Sequence, residues 1–243
     1  KVAIFLPNFG GGGAEKVMIV IANELSKECK VDLVVVRSVG TLSTLVDSRV
    51  NLIDLKGKRV ITSLFRLIKY LRTNRPNYLI SALVTSNLIS VLAKKISRVD
   101  FKLILSEHAV ASEAIADSAS KTYRFFIKKL IKLIYPLSDQ IVTVSEGVLN
   151  DLENNFGISR KKLNVIYNPV VSDQILKQSN ESFRNPYFDH NKIPMIIGVG
   201  RLTSQKNFTL LIKSFSLLLK EKRAKLVILG RGPMLNELKN LSR

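Results

Sequence analysis

The sequence predicts a doubly wound α/β protein on a mostly parallel sheet, followed by the beginning of a second unit of the same kind. Apolar runs rich in Val, Ile and Leu alternate with amphipathic helical patterns along the first two thirds of the chain. A glycine-rich loop, FGGGGAEK, joins the first apolar run to the first helical pattern. A polar stretch from Pro169 to Pro194 then interrupts the alternation, which resumes beyond it.

Taken in order, KVAIFLP reads as the first strand, and a helical pattern covers 15–28. Strands follow at VDLVVVR, VNLIDL, YLISAL, KLILSE, QIVTVS and LNVIYNP, with helical patterns at 62–73, 86–97, 121–135 and 146–155. In ITSLFRLIKYLRTN, Leu64, Leu67, Ile68 and Leu71 form an apolar stripe at helical spacing, with Arg66, Lys69 and Arg72 off it. In KTYRFFIKKLIKLIYP the stripe is Tyr123, Phe126, Ile127, Leu130, Ile131 and Ile134, with Arg124, Lys128 and Lys132 on another side. After the polar stretch come strand MIIGVG, turn RLTSQKN, helix FTLLIKSFSLLLKE, strand AKLVILG, turn RGP and helix MLNELKNLS. Residues 1–170 are thus expected to form a first domain and 171–194 a linker or crossover, with His190 read as structural. Residues 195–243 are expected to be a partial second domain, since two strands and two helices cannot enclose a normal core.

A composition of 46% hydrophobic and 23% charged residues is that of a globular chain. Its one cysteine, Cys29, excludes an intrachain disulfide framework and a cysteine metal cluster, and reads as a small buried hydrophobe in a reducing compartment. No apolar run is long enough to span a bilayer and KVAIFLPNF reads as a strand rather than a signal peptide, so a cytoplasmic protein is expected. The net charge of +19, from 38 basic and 19 acidic side chains, calls for a polyanionic partner. No acid lies between Asp54 and Asp100, a span holding Lys56, Lys58, Arg59, Arg66, Lys69, Arg72, Arg75, Lys94, Lys95 and Arg98. A second acid-free run covers Lys121 to Lys132. The two helical patterns in these runs read either as ordinary surface helices or, with exposed aromatics such as Phe125, as faces for anionic lipid or a polyphosphate. Without a helix-turn-helix, zinc or RNA-recognition signature, nucleic acid is not the expected partner.

Familiar chemistries fail on spacing. From Gly10 or Gly11 the sixth residue is Glu15 or Lys16, so the dinucleotide fingerprint is absent, and Glu15-Lys16-Val17 does not close a Walker A loop. Two histidines, His108 and His190, make no zincin spacing, and no nucleophile elbow occurs. Asp151-Leu152-Glu153 falls in a helical pattern and reads as a solvated face. What remains is a set of loops at strand carboxyl ends, where open α/β sheets bind ligands: the glycine loop, SEHAVAS, VSEGV and GRLTSQKN. The glycines read either as a tight turn at positive φ or as room for an anion against a helix N-terminus. Arg201 and Lys206 place two cations at one such turn, a cradle suited to a diphosphate.

GGGGAEKV, SEH, VSEGV, VIYNPV, GVGRLTSQKNFTLLIKSF and LVILGRGPMLNELK stand in an order and approximate spacing that resemble the retaining glycosyltransferases of family 4 over almost the whole chain. The resemblance implies the GT-B fold of two facing Rossmann-like domains. It also implies transfer of a sugar from a nucleotide diphosphate, uridine favoured over guanosine, with no metal at the diphosphate and no tightly bound cofactor. SEH followed by YPLSDQIVTVS is similar to bacterial enzymes that add hexoses or N-acetylhexosamines to polyprenyl-diphosphate-linked oligosaccharides in cell-surface glycan synthesis. By the same resemblance Arg201 and Lys206 bind the donor diphosphate and assist departure of the leaving group. Gly12 and Gly13 approach donor phosphates and acceptor, and Ser145 and Asn168 shape the cleft. His108 orients and stabilises the donor sugar; apart from the resemblance it reads as a structural histidine. Arg66, Lys69, Arg72, Arg124, Lys128 and Lys132 are assigned to the acceptor or membrane side of a protein peripheral to the inner face of the cell membrane. The family's spaced pair of glutamates for the donor ribose and sugar is not in this sequence, so the 243 residues alone are expected to transfer weakly or not at all. The alternative is a non-catalytic basic module that binds anionic membrane or another polyanion.

Overall fold

The structure, a computed structural model, describes residues 1–10, 12–116, 120–171, 173–182 and 193–242. Strands β1 (Val2–Leu6), β2 (Val31–Val35), β3 (Asn51–Asp54), β4 (Tyr78–Ala82), β5 (Lys102–Glu107), β6 (Gln140–Thr143) and β7 (Leu163–Val165) pair in parallel in the order β3-β2-β1-β4-β5-β6-β7. Parallel neighbours need crossovers; a 3-10 turn at Thr41–Leu45 carries the chain from β2 to β3, and the other crossovers run through helices α1 (Gly13–Leu25), α2 (Leu64–Asn74), α3 (Val84–Ser97), α4 (Ala111–Ala116), α5 (Lys121–Ile134) and α6 (Glu146–Phe156). Helix α7 (Asp173–Ser179) follows, and then β8 (Met195–Val199), α8 (Phe208–Leu218), β9 (Lys225–Leu229) and α9 (Leu235–Leu241).

The two-residue period of the strands divides the core. Ala3 and Phe5 of β1 enter one cluster with Leu67, Ile68, Leu71, Ile127, Ile131 and Leu152 from α2, α5 and α6. Ile4 and Leu6 point the other way, onto Met18, Ile19 and Ala22 of α1. Both faces are thereby covered, as an apolar parallel sheet requires. Asp32 is the exception inside β2: its carboxylate is buried, lies 2.7 Å from Lys1 Nζ, and accepts hydrogen bonds from Asn51 Nδ2 at 2.9 Å and from Tyr70 OH. Burial pushes this carboxyl up, but hydrogen bonds from Lys1, Tyr70 and Asn51 and the Lys1 charge hold it below the ordinary range.

Two compact units divide between Leu176 and Lys177. In the second, β8 and β9 pair in parallel, and Leu202, Phe208, Ile212 and Leu238 form a small core. The strands and the long helices read from the sequence are all present, with ends shifted by a few residues. Two short helices were not foreseen: α4, inside the SEHAVAS loop, and α7, inside the span read as linker. His190 and Gly11 lie outside the described residues.

Candidate functional site

The parallel topology sends the turns after β1, β5, β6 and β7 to one edge of the first sheet. At the glycine turn, Gly12 caps α1 with φ −76° and ψ 160° and offers no side-chain hydrogen bond to the helix N-terminus. None of the described glycines of this turn has a positive φ, so tight-turn geometry does not explain them. A β-carbon at Gly12 would come within 2.3 Å of Glu15 Oε2, the movable end of a side chain, and one at Gly13 would meet nothing within 4 Å. The fold therefore leaves open volume at Gly13 beside free helix amides. The turn is braced from behind, where Gly40, at φ +127°, packs so closely that a β-carbon would lie 1.9 Å from the Phe9 carbonyl oxygen.

Two strands along the sheet, about 10 Å by ordinary strand spacing, β5 ends in Ser106 and Glu107 and is followed by His108. Because β5 runs to Glu107 and α4 begins at Ala111, the expected seven-residue SEHAVAS loop shrinks to residues 108–110. His108 Nε2 lies 3.0 Å from Ser106 Oγ, while Nδ1 is buried with no partner among the described residues. Burial holds the imidazole below its usual pKa, favouring the neutral ring with one donor and one acceptor nitrogen.

Beneath His108 lies a polar cluster that motif reading missed. Glu107, 2% exposed, accepts from Tyr135 OH and, at 2.6 Å, from Asn87 Nδ2, whose own Oδ1 accepts from Ser81 Oγ at 2.6 Å. Burial pushes the Glu107 carboxyl up to about 7; Tyr135 and Asn87 oppose the shift, and the Asp151 charge adds to it. Glu107 closes strand KLILSE beside Ser106, and nothing in the local sequence marks it as buried. Asp151 corrects an expectation. It is buried rather than solvated, because Oδ2 accepts from the Ser112 amide of α4 at 3.0 Å and Oδ1 from Asn155 Nδ2 at 2.8 Å. Ser145 caps α6, its hydroxyl accepting from the Val148 amide at 3.3 Å, and half-buried Asn168 follows β7.

In the second unit, the turns after β8 and β9 meet backbone to backbone. Leu202 N donates to Arg231 O at 2.9 Å, and β-carbons at Gly230 and Gly232 would lie 1.9 Å from Gly200 O and 2.3 Å from Leu202 O. This close approach is why both positions are glycine. It brings Arg231, which motif reading did not single out, onto the same edge as Arg201. Arg201, Lys206 and Arg231 are all exposed, and neither Arg201 nor Lys206 forms an ion pair with a described residue. Lys206 Cγ and Cδ lie 3.7 Å from where a Gly200 β-carbon would stand, so its stem crosses that glycine. Asn207, in the left-handed region at φ +47°, caps α8 by accepting from the Leu210 amide at 3.3 Å.

The basic helices divide in their use of charge. Arg66 donates to Leu55 O at 2.8 Å and to Lys56 O, and Arg72 to Ile96 O at 3.1 Å and Ser97 O at 3.4 Å, while Lys69 is exposed. On α5 the expected six-residue stripe is fully buried only at Ile127 and Ile131, because the helix touches the core along a narrow line. Phe125, Phe126 and Leu133 stand 65%, 59% and 61% exposed, near the exposed Lys128 and Lys132 and the half-buried Arg124. Among the described residues no helix is long and apolar enough to cross a membrane.

Comparison with known proteins agrees with this organisation. Residues 11–174 match the family described as Glycosyltransferase Family 4, and residues 179–243 match Glycosyl transferases group 1. The chain is 28% identical, over 98% of its own length and 64% of the relative's, to an N-acetylgalactosamine-N,N'-diacetylbacillosaminyl-diphospho-undecaprenol 4-alpha-N-acetylgalactosaminyltransferase of Campylobacter jejuni. It is 26% identical, over 77% of its length and 49% of the relative's, to the amylovoran biosynthesis glycosyltransferase AmsD of Erwinia amylovora. Among solved structures, HepE of Anabaena in complex with UDP and glucose superposes with a TM-score of 0.70 at 16% identity, covering 99% of this chain and 64% of that one. The chain thus spans just under two thirds of the length of the first of these relatives.

Proposed function

The chain belongs to glycosyltransferase family 4 and has an α/β fold of the GT-B type, and on that footing we propose that it serves sugar transfer from a nucleoside-diphosphate donor to a lipid-linked saccharide, with retention of anomeric configuration. The observation that carries this reading is the pair of exposed cations at the β8 turn, Arg201 and Lys206, unpaired among the described residues at a sheet edge where α/β proteins hold ligands. As the bond from the anomeric carbon to the diphosphate breaks, negative charge builds on the departing oxygen. Two cations at this turn stabilise that charge more than the ground state and do so without a metal. Arg231, on the adjoining turn, adds a third.

In the first unit, Gly13 leaves space beside the α1 amides, and the neutral His108 ring has a buried Nδ1 free to orient a sugar hydroxyl. Ser145 and Asn168 border the same sheet edge. Similarity to a relative named for a diphospho-undecaprenol acceptor supports a lipid-linked acceptor here. Such an acceptor sits at a membrane surface, and the exposed aromatics and lysines of α5 suit peripheral attachment to anionic lipid.

Calorimetric titration of the full-length protein with UDP, GDP and their sugar conjugates tests the reading. A uridine nucleotide should bind, and Arg201→Ala plus Lys206→Ala should abolish its binding. Failure of all these nucleotides to bind would overturn the reading in favour of a non-catalytic polyanion-binding module. Product configuration, read by NMR, tests retention. Lys128→Ala plus Lys132→Ala should weaken salt-sensitive binding to anionic vesicles, and unchanged binding would remove α5 from the membrane role.

A further inference from the structure

We propose that the amino-terminal edge of the first sheet carries an anion site, formed by Arg72, Arg75 and Arg98, for a phosphate-bearing ligand with two or more negative charges. Helices α2 and α3 lead into β4 and β5, so their carboxyl ends lie at the opposite edge of the sheet from His108. There a cavity of about 550 Å³ is lined by Arg72, Arg75, Ser97, Arg98, Val99 and Asp100. That volume is in the range of small-molecule sites.

Helix carboxyl ends attract cations, which accounts for Arg72: its guanidinium satisfies the Ile96 and Ser97 carbonyls of α3 and is held in place by them. Arg75 and Arg98 cap the same helix ends and feel the same attraction, but neither guanidinium satisfies a carbonyl of a described residue. Arg75 and Arg98 each follow a helix in the left-handed region, at φ +39° and +55°, where glycine is the unstrained residue. Both side chains are exposed, and neither makes a side-chain hydrogen bond or ion pair with a described residue. Asp100 borders the same cavity and pairs with neither. No carboxylate from α2 or α3 enters, because the chain between Asp54 and Asp100 contains none. Three like charges around one volume repel, and a multivalent anion that accepts from several guanidinium groups removes the repulsion. This gives the acid-free stretch a use that sugar transfer does not require of it.

The decisive variant is Arg75→Gly plus Arg98→Gly, which removes both cations while installing the residue that suits the left-handed backbone. Binding of inorganic pyrophosphate and of cardiolipin–phosphatidylcholine vesicles, whose headgroup carries two phosphates, is measured in the Arg201→Ala plus Lys206→Ala background, so that the β8 turn does not contribute. The glycine pair should weaken one of these ligands by about tenfold or more, whereas Lys58→Ala plus Arg59→Ala, an equal change of charge elsewhere, should change it less than about twofold. Loss of pyrophosphate identifies a soluble phosphorylated ligand, and loss of vesicles alone identifies a lipid headgroup; either supports the site. Arg75→Gln plus Arg98→Gln should reproduce the loss with an unchanged melting temperature. Equal losses in the glycine and control pairs, or no loss in either, would overturn it.

Discussion

Asp32 and Glu107 are both buried carboxylates of one sheet, and each accepts a hydrogen bond from a tyrosine hydroxyl, yet they shift in opposite directions. Asp32, near the amino end of β2, has Lys1 beside it and stays ionised. Glu107, at the carboxyl end of β5, has Asn87 and Tyr135 but no cation within ion-pair distance among the described residues, and burial raises it to about 7. A neutral hydrogen-bond donor offsets part of the cost of burying a charge; a cation added to such donors can reverse it. The carboxylate left without a cation lies next to His108.

The two groups should give stability opposite pH slopes. Asp32 contributes stability above its unfolded value near 3.8, and that contribution is lost as pH falls through the depressed folded value. Glu107 is protonated in both states below 4.5; as pH rises from there to about 7 the unfolded chain ionises first, so stability falls, by about 3 kcal/mol in full.

The largest expected effect is on that slope. Glu107→Gln should gain about 2–3 kcal/mol on the wild type between pH 5 and pH 8, read by urea unfolding at both values. A constant difference would mean that Glu107 is not protonated by the fold. Next, Lys1→Met should make Asp32 resemble Glu107, costing about 2 kcal/mol at pH 7 and moving the acid-unfolding midpoint upward. An unmoved midpoint would break the contrast. The tyrosines sharpen it: Tyr70→Phe removes a bond to a full charge and should cost about 2 kcal/mol, against about 1 kcal/mol for Tyr135→Phe at pH 7. Equal costs in thermal unfolding would place the same charge on both carboxylates. Gly13→Ala has the smallest effect on stability, a gain of up to about 1 kcal/mol by helix propensity, but should weaken nucleotide or acceptor binding if the open volume there receives a ligand. Unaltered titration curves would return Gly13 to a purely structural role.

The sheet was legible because its signals are local. Runs such as VAIFL and VDLVV state their burial in their own composition, and the stripe of Leu64, Leu67, Ile68 and Leu71 announces a packed face. His108, Arg201 and Lys206 could be singled out because each lies in a loop after a readable strand. Glu107 could not, since its pKa depends on Asn87, Tyr135 and Asp151, up to 44 positions away and joined only when β5, α3, the turn after α5 and α6 pack. Asp151 was misread for the same reason: helical spacing places it on a face but does not say that Ser112 will meet that face.

By itself, then, the sequence determined the alternation of strands and helices, the parallel sheet, the excess positive charge and the loops at the sheet edge, all set by periodicity and residue type within a few turns of chain. Only the tertiary structure decided which charges are satisfied. Arg66 and Arg72 found backbone carbonyls, Asp32 found Lys1, and Arg75, Arg98, Arg201 and Lys206 found no carboxylate among the described residues. Charge satisfaction is a matter of distance in space and loss of water, and neither is encoded at any single position.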